Sequence, residues 1–313
     1  MPLKAYALHS INMLGATQLL FPQLTERTIN PRTNIIYNRG SGSPSPSFAA
    51  VVTVAPEITW STNDVRRTFD AVSVTSGLKF KAGSTYTGVD AFFQMKEDLG
   101  LRGGALTGIK ATGTKGIIIP TTLEANVEQE ARLSMSMLWL TEDGITIPIT
   151  WTNLVTCPAS FASEKFTFGG VVANGATVPG VDGITIDFGI TIEAKTGGGH
   201  PYPQFATIGE LAPKITCRTP NIDVNATYSS SGVNLTGGAK FFLRKMQSGT
   251  TPYADADIQH IAFNITAGQG IMYPGTSSAN GTADAQQELI FAALEGAGGP
   301  ILSYTAPVAI VLP

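Results

Sequence analysis

Few residues in this chain could do chemistry, and their spacing argues against it. The histidines are His9, His200 and His260, in no metal-ligand spacing and beside no nucleophile motif. Cys157 and Cys217 stand far apart, so the reading is two buried free thiols in a reducing compartment rather than a disulfide or a metal pair. Asp255 and Asp257 in "YADADIQHI" could meet a cation, but as two loop carboxylates they read first as solvated acids. The stretch "GGALTGIKATGTKG", residues 103–116, is glycine-rich yet lacks the Gly-Lys-Ser/Thr ending of a phosphate-binding loop, and reads as a flexible loop. No G-x-S-x-G, H-E-x-x-H or EF-hand pattern occurs. The expectation is a protein that is not an enzyme and holds no metal or cofactor.

What remains is architecture. At 313 residues the chain has room for two ordinary domains. Charged residues are 14% of it, below the roughly 25% of ordinary soluble domains, while Gly (34) and Pro (19) are plentiful. That is a turn-rich β composition. Its low charge fits a surface that meets other protein, or a bland all-β monomer. The net charge of −3 argues against nucleic-acid binding, which calls for a basic excess. Residues 1–156 hold 13 Lys+Arg against 12 Asp+Glu, and the rest hold 7 against 11, so the halves differ electrostatically. No signal peptide or membrane span is read, which places the chain in a cytoplasm. The Asn-x-Thr triplets at Asn225, Asn234, Asn264 and Asn280 are read as chance.

The most informative feature is a repeat. At an offset of 157, residues 44–62 match residues 201–219 at nine of 19 positions, where chance gives about one. The pairs include Pro44/Pro201, Pro46/Pro203, Phe48/Phe205, Pro56/Pro213 and Ile58/Ile215. A second block, "KGIIIPTTLEAN" against "QGIMYPGTSSAN", matches at offset 154 through Gly116/Gly270, Ile117/Ile271 and Pro120/Pro274. Between them, Phe92-Phe93 answers Phe241-Phe242 at offset 149. Two copies are too few for a solenoid. The expectation is two homologous domains, residues 1–155 and 156–313, with these matched positions as repeated structural or assembly elements.

Alternation predicts strands. Ile184, Ile186, Phe188, Ile190 and Ile192 share a face in "GITIDFGITIE", and Leu133, Met135, Met137 and Trp139 share one in "ARLSMSMLW". "ITIPITW" is read the same way, with Pro148 marking a sheet edge, so that Trp60, Trp139 and Trp151 all point inward. Phe48 and Phe205 read as core anchors, and Ala-Pro at 55 and 212 as a kink in an edge strand or a break between two strands. Thr87 to Gly100 is read as a helix, from Val89, Phe92, Phe93 and Lys96, whereas its counterpart "GAKFFLRKMQSG" is read as a strand running into a turn. The fold class is mainly β: two tandem sandwich or barrel domains, each with at most one short helix.

The succession "ITIDFGITIEAKTGGG", "YPQFATIGELAPKIT", "FFLRKMQSGTTPYADADIQHIAFNITAGQGIMYP" resembles the tail tube proteins of long-tailed bacteriophages. The likeness covers nearly all of the second half, and extends through the repeat to Phe48, Pro56, Ile58, Gly116 and Pro120 in the first. The first half departs from it where "EDLGLRGGALTGIKA" stands in place of "SGTTPYADADIQHIAF". The resemblance implies a β-sandwich with a flanking helix, whose sheets join around a ring into one inner barrel. With two domains per chain, three copies make a pseudo-sixfold ring, and stacked rings make a tube in a virion tail. Its partners would be itself and other tail proteins (tape measure, tail tip and terminator), with DNA passing unbound and no membrane insertion. Two other readings stand beside it: a capsid decoration or tail terminator protein, and a tandem β-sandwich that binds carbohydrate or a host surface.

Overall fold

The computed structural model describes residues 5–15, 19–21, 24–30, 33–38, 45, 48–96, 107–159, 164–220, 231–247, 251–278, 286–295 and 301–313. In chain order the first elements are β1 (Ala5–Gly15), β2 (Leu19–Phe21), β3 (Leu24–Asn30), β4 (Thr33–Asn38), β5 (Phe48–Val54) and β6 (Glu57–Thr62). There follow α1 (Val65–Phe69), β7 (Leu78–Phe80), β8 (Tyr86–Lys96), β9 (Thr107–Gly113), β10 (Gly116–Asn126), β11 (Arg132–Trp139) and β12 (Thr150–Thr156). The second half continues with β13 (Phe166–Ala173), β14 (Ala176–Thr177), β15 (Gly183–Asp187), β16 (Ile190–Lys195), β17 (Phe205–Leu211) and β18 (Lys214–Thr219). It ends with β19 (Val233–Asn234), β20 (Ala239–Lys245), β21 (His260–Ile265), β22 (Gly270–Ser278), β23 (Gln286–Ala293) and β24 (Ser303–Val308). The protein is mainly β, in several antiparallel sheets, with very little helix.

Most strands fall into three sheets. A ten-stranded sheet runs β19-β22-β23-β18-β15-β10-β11-β6-β3, with β7 also on β10. The two five-stranded sheets are β12-β9-β8-β1-β2 and β14-β13-β20-β21-β24. Two-stranded ribbons, β4-β5 and β16-β17, complete the set.

Strand order recurs along the chain. β7-β10-β11-β6-β3 is followed, element for element, by β19-β22-β23-β18-β15, and β2-β1-β8-β9-β12 by β14-β13-β20-β21-β24. Registers recur as well. Gly116↔Trp139 and Pro120↔Met135 become Gly270↔Ala293 and Pro274↔Leu289 at offset 154, with a bulge after each proline. Thr33↔Val54 and Ile35↔Val51 become Ile190↔Leu211 and Ile192↔Ile208 at offset 157, again with the same bulge.

One contiguous core lies between the ten-stranded sheet and the two smaller ones. Ile58, Trp60, Leu133, Met135, Ile184, Ile186, Ile215, Leu289 and Phe291 supply the large sheet's share, and Leu8, Ile11, Val89, Phe166, Phe241, Leu243 and Phe263 supply that of the others. It passes through both halves without interruption. Helix α1 ties them further: the Phe69 ring lies 5.5 Å from that of Phe188 and 5.4 Å from those of Phe263 and Tyr304. The Tyr304 hydroxyl donates to Asp70 at 3.1 Å.

Several expectations need correction. The segment read as a helix from Thr87 is β8 as far as Lys96, and residues 97–100 lie outside the described ones. Pairing with β1 and β9 satisfies its backbone and puts Val89, Ala91 and Phe93 into the core. The match of Phe92-Phe93 is off by one: the bulges place Phe92 opposite Ser10 as Phe242 is opposite Gly170, an offset of 150. A one-residue slip exchanges the two faces of a strand, and Phe92 and Phe242 both lie off the main core.

The run "GITIDFGITIE" is two strands broken at Phe188-Gly189. Ala55-Pro56 and Ala212-Pro213 likewise separate β5 from β6 and β17 from β18, so the break between strands is the reading that holds. Residues 145–149 are irregular, because the Asp143 carboxylate takes the N–H groups of Ile145 and Thr146 at 2.9 Å and coils the chain. Ile145 and Ile147 are exposed, as is Trp151 at 51%, whereas Trp60 and Trp139 are buried. Residues 107–113, read as a flexible loop, form β9.

Candidate assembly interface

The ten-stranded sheet contains a seam at which the halves of the chain meet. β10 is long enough to hold two neighbours on one edge: β7 along Gly116–Ile118 and β15 along Thr122–Asn126. The pairs across the seam are Thr122↔Asp187, Leu123↔Ile186, Glu124↔Thr185, Ala125↔Ile184 and Asn126↔Gly183. Phe188 N–H donates to Thr121 at 3.0 Å and Val127 N–H to Asp182 at 2.8 Å. By the alternation of an antiparallel ladder, the N–H groups of Leu123 and Ala125 therefore point across the seam. Leu123 and Ile186 are both fully buried there.

Both partners in this seam have a register equivalent that is not so used. The equivalent of β10 is β22, which holds β19 at Ile271–Met272 and, among the described residues, no strand beyond Pro274 on that edge. The equivalent of β15 is β3, the last strand in the sheet order, where Thr28 and Ile29 match Thr185 and Ile186. Ile29 is 43% exposed although Ile186 is fully buried, and the counterparts of Thr122 and Leu123 are the exposed Thr276 and Ser277. The open ends of the sheet therefore match the two sides of its internal seam.

The ribbon β16-β17 adds a second contact between the halves. It leaves the large sheet at Gly189 and returns at Ala212-Pro213, where Ala212 N–H donates to Gly189 O at 3.1 Å. Gly189 has φ +58, and a Cβ there would lie 2.1 Å from Ala212 O, so the crossing requires glycine. Ile190, Ile192 and Ala206 pack on Ile117, Ile119, Leu138 and Leu140, a strip on the side of the large sheet away from the main core. At the ribbon's far end, Pro201 O accepts from Val54 N–H at 2.8 Å and Pro203 O from Thr141 N–H at 2.9 Å.

The predicted positions sort unevenly. Pro201 and Pro203 each accept a backbone hydrogen bond from the first half of the chain. Pro56 and Pro213 are buried at the breaks into the large sheet, Ile58 and Ile215 are core, Gly116 and Gly270 open β10 and β22, and Pro120 and Pro274 sit at the bulges. Phe205 is not a core anchor: it is 61% exposed, beside the Lys115 ammonium at 5.5 Å from its ring centre, because the ribbon stands outside the main core. Phe48 begins β5 and its side chain lies outside what is described; Pro44 and Pro46 lie outside the described residues. Sequence reasoning missed Ile29, Leu123, Ser277 and Leu294, and read Ile186 as an inward strand residue without its partner across the seam. Their only trace was apolar or polar parity on strands whose neighbours were unknown.

Several of the groups singled out for chemistry make local contacts. His260 is buried, accepting from Lys245 N–H at Nδ1 (3.0 Å) and donating from Nε2 to Ala254 O (2.9 Å). Asp255 pairs with Arg244 at 2.6 Å, and Asp257 accepts from Ala254 N–H at 3.0 Å. Cys157 and Cys217 are free and buried, and burial pushes both thiols up. Asp64, at the start of α1, is raised to about 6 by burial, against the pull of Arg67. Among the described residues no three His, Cys, Asp or Glu gather as a metal site, and no helix is long and apolar enough to cross a membrane. No protein-family model matches the chain, and no curated protein matches it in sequence.

Proposed function

We propose that the two halves are homologous β-sandwich domains, and that three copies of the chain close into a ring of six such domains. Stacked rings would form the hollow tail tube of a long-tailed bacteriophage, through which DNA passes to the host. The observation that carries this reading is the seam of β10 on β15, together with the same two edges left open on β22 and β3. A surface that pairs head to tail either closes into a ring or runs into an open filament. Repeating the internal seam between copies places Ser277 opposite Ile29 and Ser278 opposite Thr28 of the next chain.

The face of the large sheet away from its core suits a bore. Beyond the strip that the ribbon covers, it presents Thr59, Thr122, Ser134, Thr185 and Thr216, with Glu57, Glu124, Asp187 and Glu288 set among Arg132, Lys214 and Arg218. Charges of both signs give passing phosphates no continuous basic track, so DNA meets no string of ion pairs to break. Tape measure, tail tip and terminator proteins would meet the ends of the tube.

The test is negative-stain electron microscopy of the purified chain over a concentration series. Rings of three chains, or hollow tubes, are expected. Uniform monomers at every concentration would overturn the proposal.

A further inference from the structure

The apolar strip under the β16-β17 ribbon has an uncovered equivalent. At offset 154, Ile117, Ile119, Leu138 and Leu140 become Ile271, Tyr273, Ala292 and Leu294. The first set is buried, whereas Leu294 is 50% exposed and the other three are half-buried. At offset 157 the covering ribbon becomes β4-β5, which has the same pairs and the same bulge. Thr33, Ile35 and Ala49 hold the register positions of Ile190, Ile192 and Ala206.

We infer that the β4-β5 ribbon of one copy seats on the strip of Ile271, Tyr273, Ala292 and Leu294 of the next copy. The ribbon cannot reach the strip of its own chain: β3, from which it follows, and β22 stand at opposite ends of the described sheet, seven strand spacings or roughly 30 Å apart. A second copy brings them together. Wherever β3 pairs with a neighbouring β22, the ribbon that follows β3 is carried over that neighbour's β22 and β23, as β16-β17 is carried over β10 and β11. The inference rests on the proposed ring and adds a second contact to it.

The test is the variant Ala49→Cys with Leu294→Cys in the full chain, treated with a short bis-maleimide, which adds one thiol at each end, after assembly; the native thiols are buried. Denaturing gels are expected to show a covalent ladder ending at three chains, which neither single variant gives. Wild-type rings with no ladder from the double variant would overturn the ribbon seat and leave the ring standing. Absence of assembly by wild type would overturn both. As a check that does not depend on cross-linking geometry, Leu294→Asp is expected to fold as wild type and to need about tenfold or more protein to assemble. Assembly at the wild-type concentration would refute the seat.

Discussion

Replacing Ser277 by proline separates assembly from folding. In the internal seam the N–H of Leu123 points across to β15, and Ser277 stands at the same register position in β22. The substitution therefore removes a donor that faces away from β23, at a sheet edge, where proline is tolerated. Against a second copy the loss is one backbone hydrogen bond, about 1 kcal/mol net, plus about 1–3 kcal/mol for the Ile29 carbonyl left unsatisfied in a closed seam. A weakening of about 2–4 kcal/mol at each contact raises the concentration needed for assembly roughly 30- to 1000-fold. Sedimentation over a dilution series reads that shift, and circular dichroism reads the fold, which should change by no more than about 0.5 kcal/mol. Thr276→Pro is the control, because its N–H faces β23, toward Glu288 at 3.4 Å, and it should destabilise the chain itself. If Ser277→Pro assembled like wild type, or melted as Thr276→Pro does, the assigned direction of this edge would be wrong.

The buried Asp64 carboxyl sets a pH dependence. With its pKa raised from 3.8 to about 6, the native state keeps a proton that the unfolded chain has lost, so this group's contribution to stability falls as pH rises from about 4 to 6. Asp64→Asn should flatten that fall, recovering about 2 kcal/mol above pH 6 in urea titrations, and a profile parallel to wild type would exclude the assignment. Phe291→Ala removes half of an edge-on ring pair 5.0 Å from Phe241 and should cost about 3–5 kcal/mol in denaturant unfolding; a loss under about 1 kcal/mol would mean the site collapses freely. Phe205→Asp should leave the melting temperature nearly unchanged, given its exposure, and loss of soluble protein would restore it to the core. Cys157 and Cys217 should react with a thiol reagent only after unfolding; rapid labelling of the native protein would contradict their burial.

Much of this fold could be read before any coordinates, for identifiable reasons. Leu133, Met135, Met137 and Trp139 alternate because one side of β11 is core, and the repeated Ala-Pro marks places where a strand leaves one sheet for another. Local pattern failed where it was ambiguous or overridden. Val89, Phe92, Phe93 and Lys96 suit a helix as well as a strand, and pairing of β8 with β1 and β9 decides between them. Ile145 and Ile147 alternate, but the Asp143 carboxylate captures the N–H groups of Ile145 and Thr146. Phe205 has the local sequence of a core residue, yet the ribbon that carries it stands outside the main core and leaves its ring exposed. The seam was the least legible feature, because nothing in Leu123 or Ile186 names its neighbour.

Holding both sides of one seam in a single polypeptide changes the order in which a ring could form. Linked partners meet at an effective concentration that the cell could not match with separate subunits. In the proposed ring, three of six seams would be closed before any two chains collide. The other three would carry Thr276 and Ser277 where the internal seam has Thr122 and Leu123, a polar rim that would discourage premature association while the chain is alone. For such a ring, one chain in place of two would halve the number of encounters and assign the stickier chemistry to the encounter that the chain makes with itself.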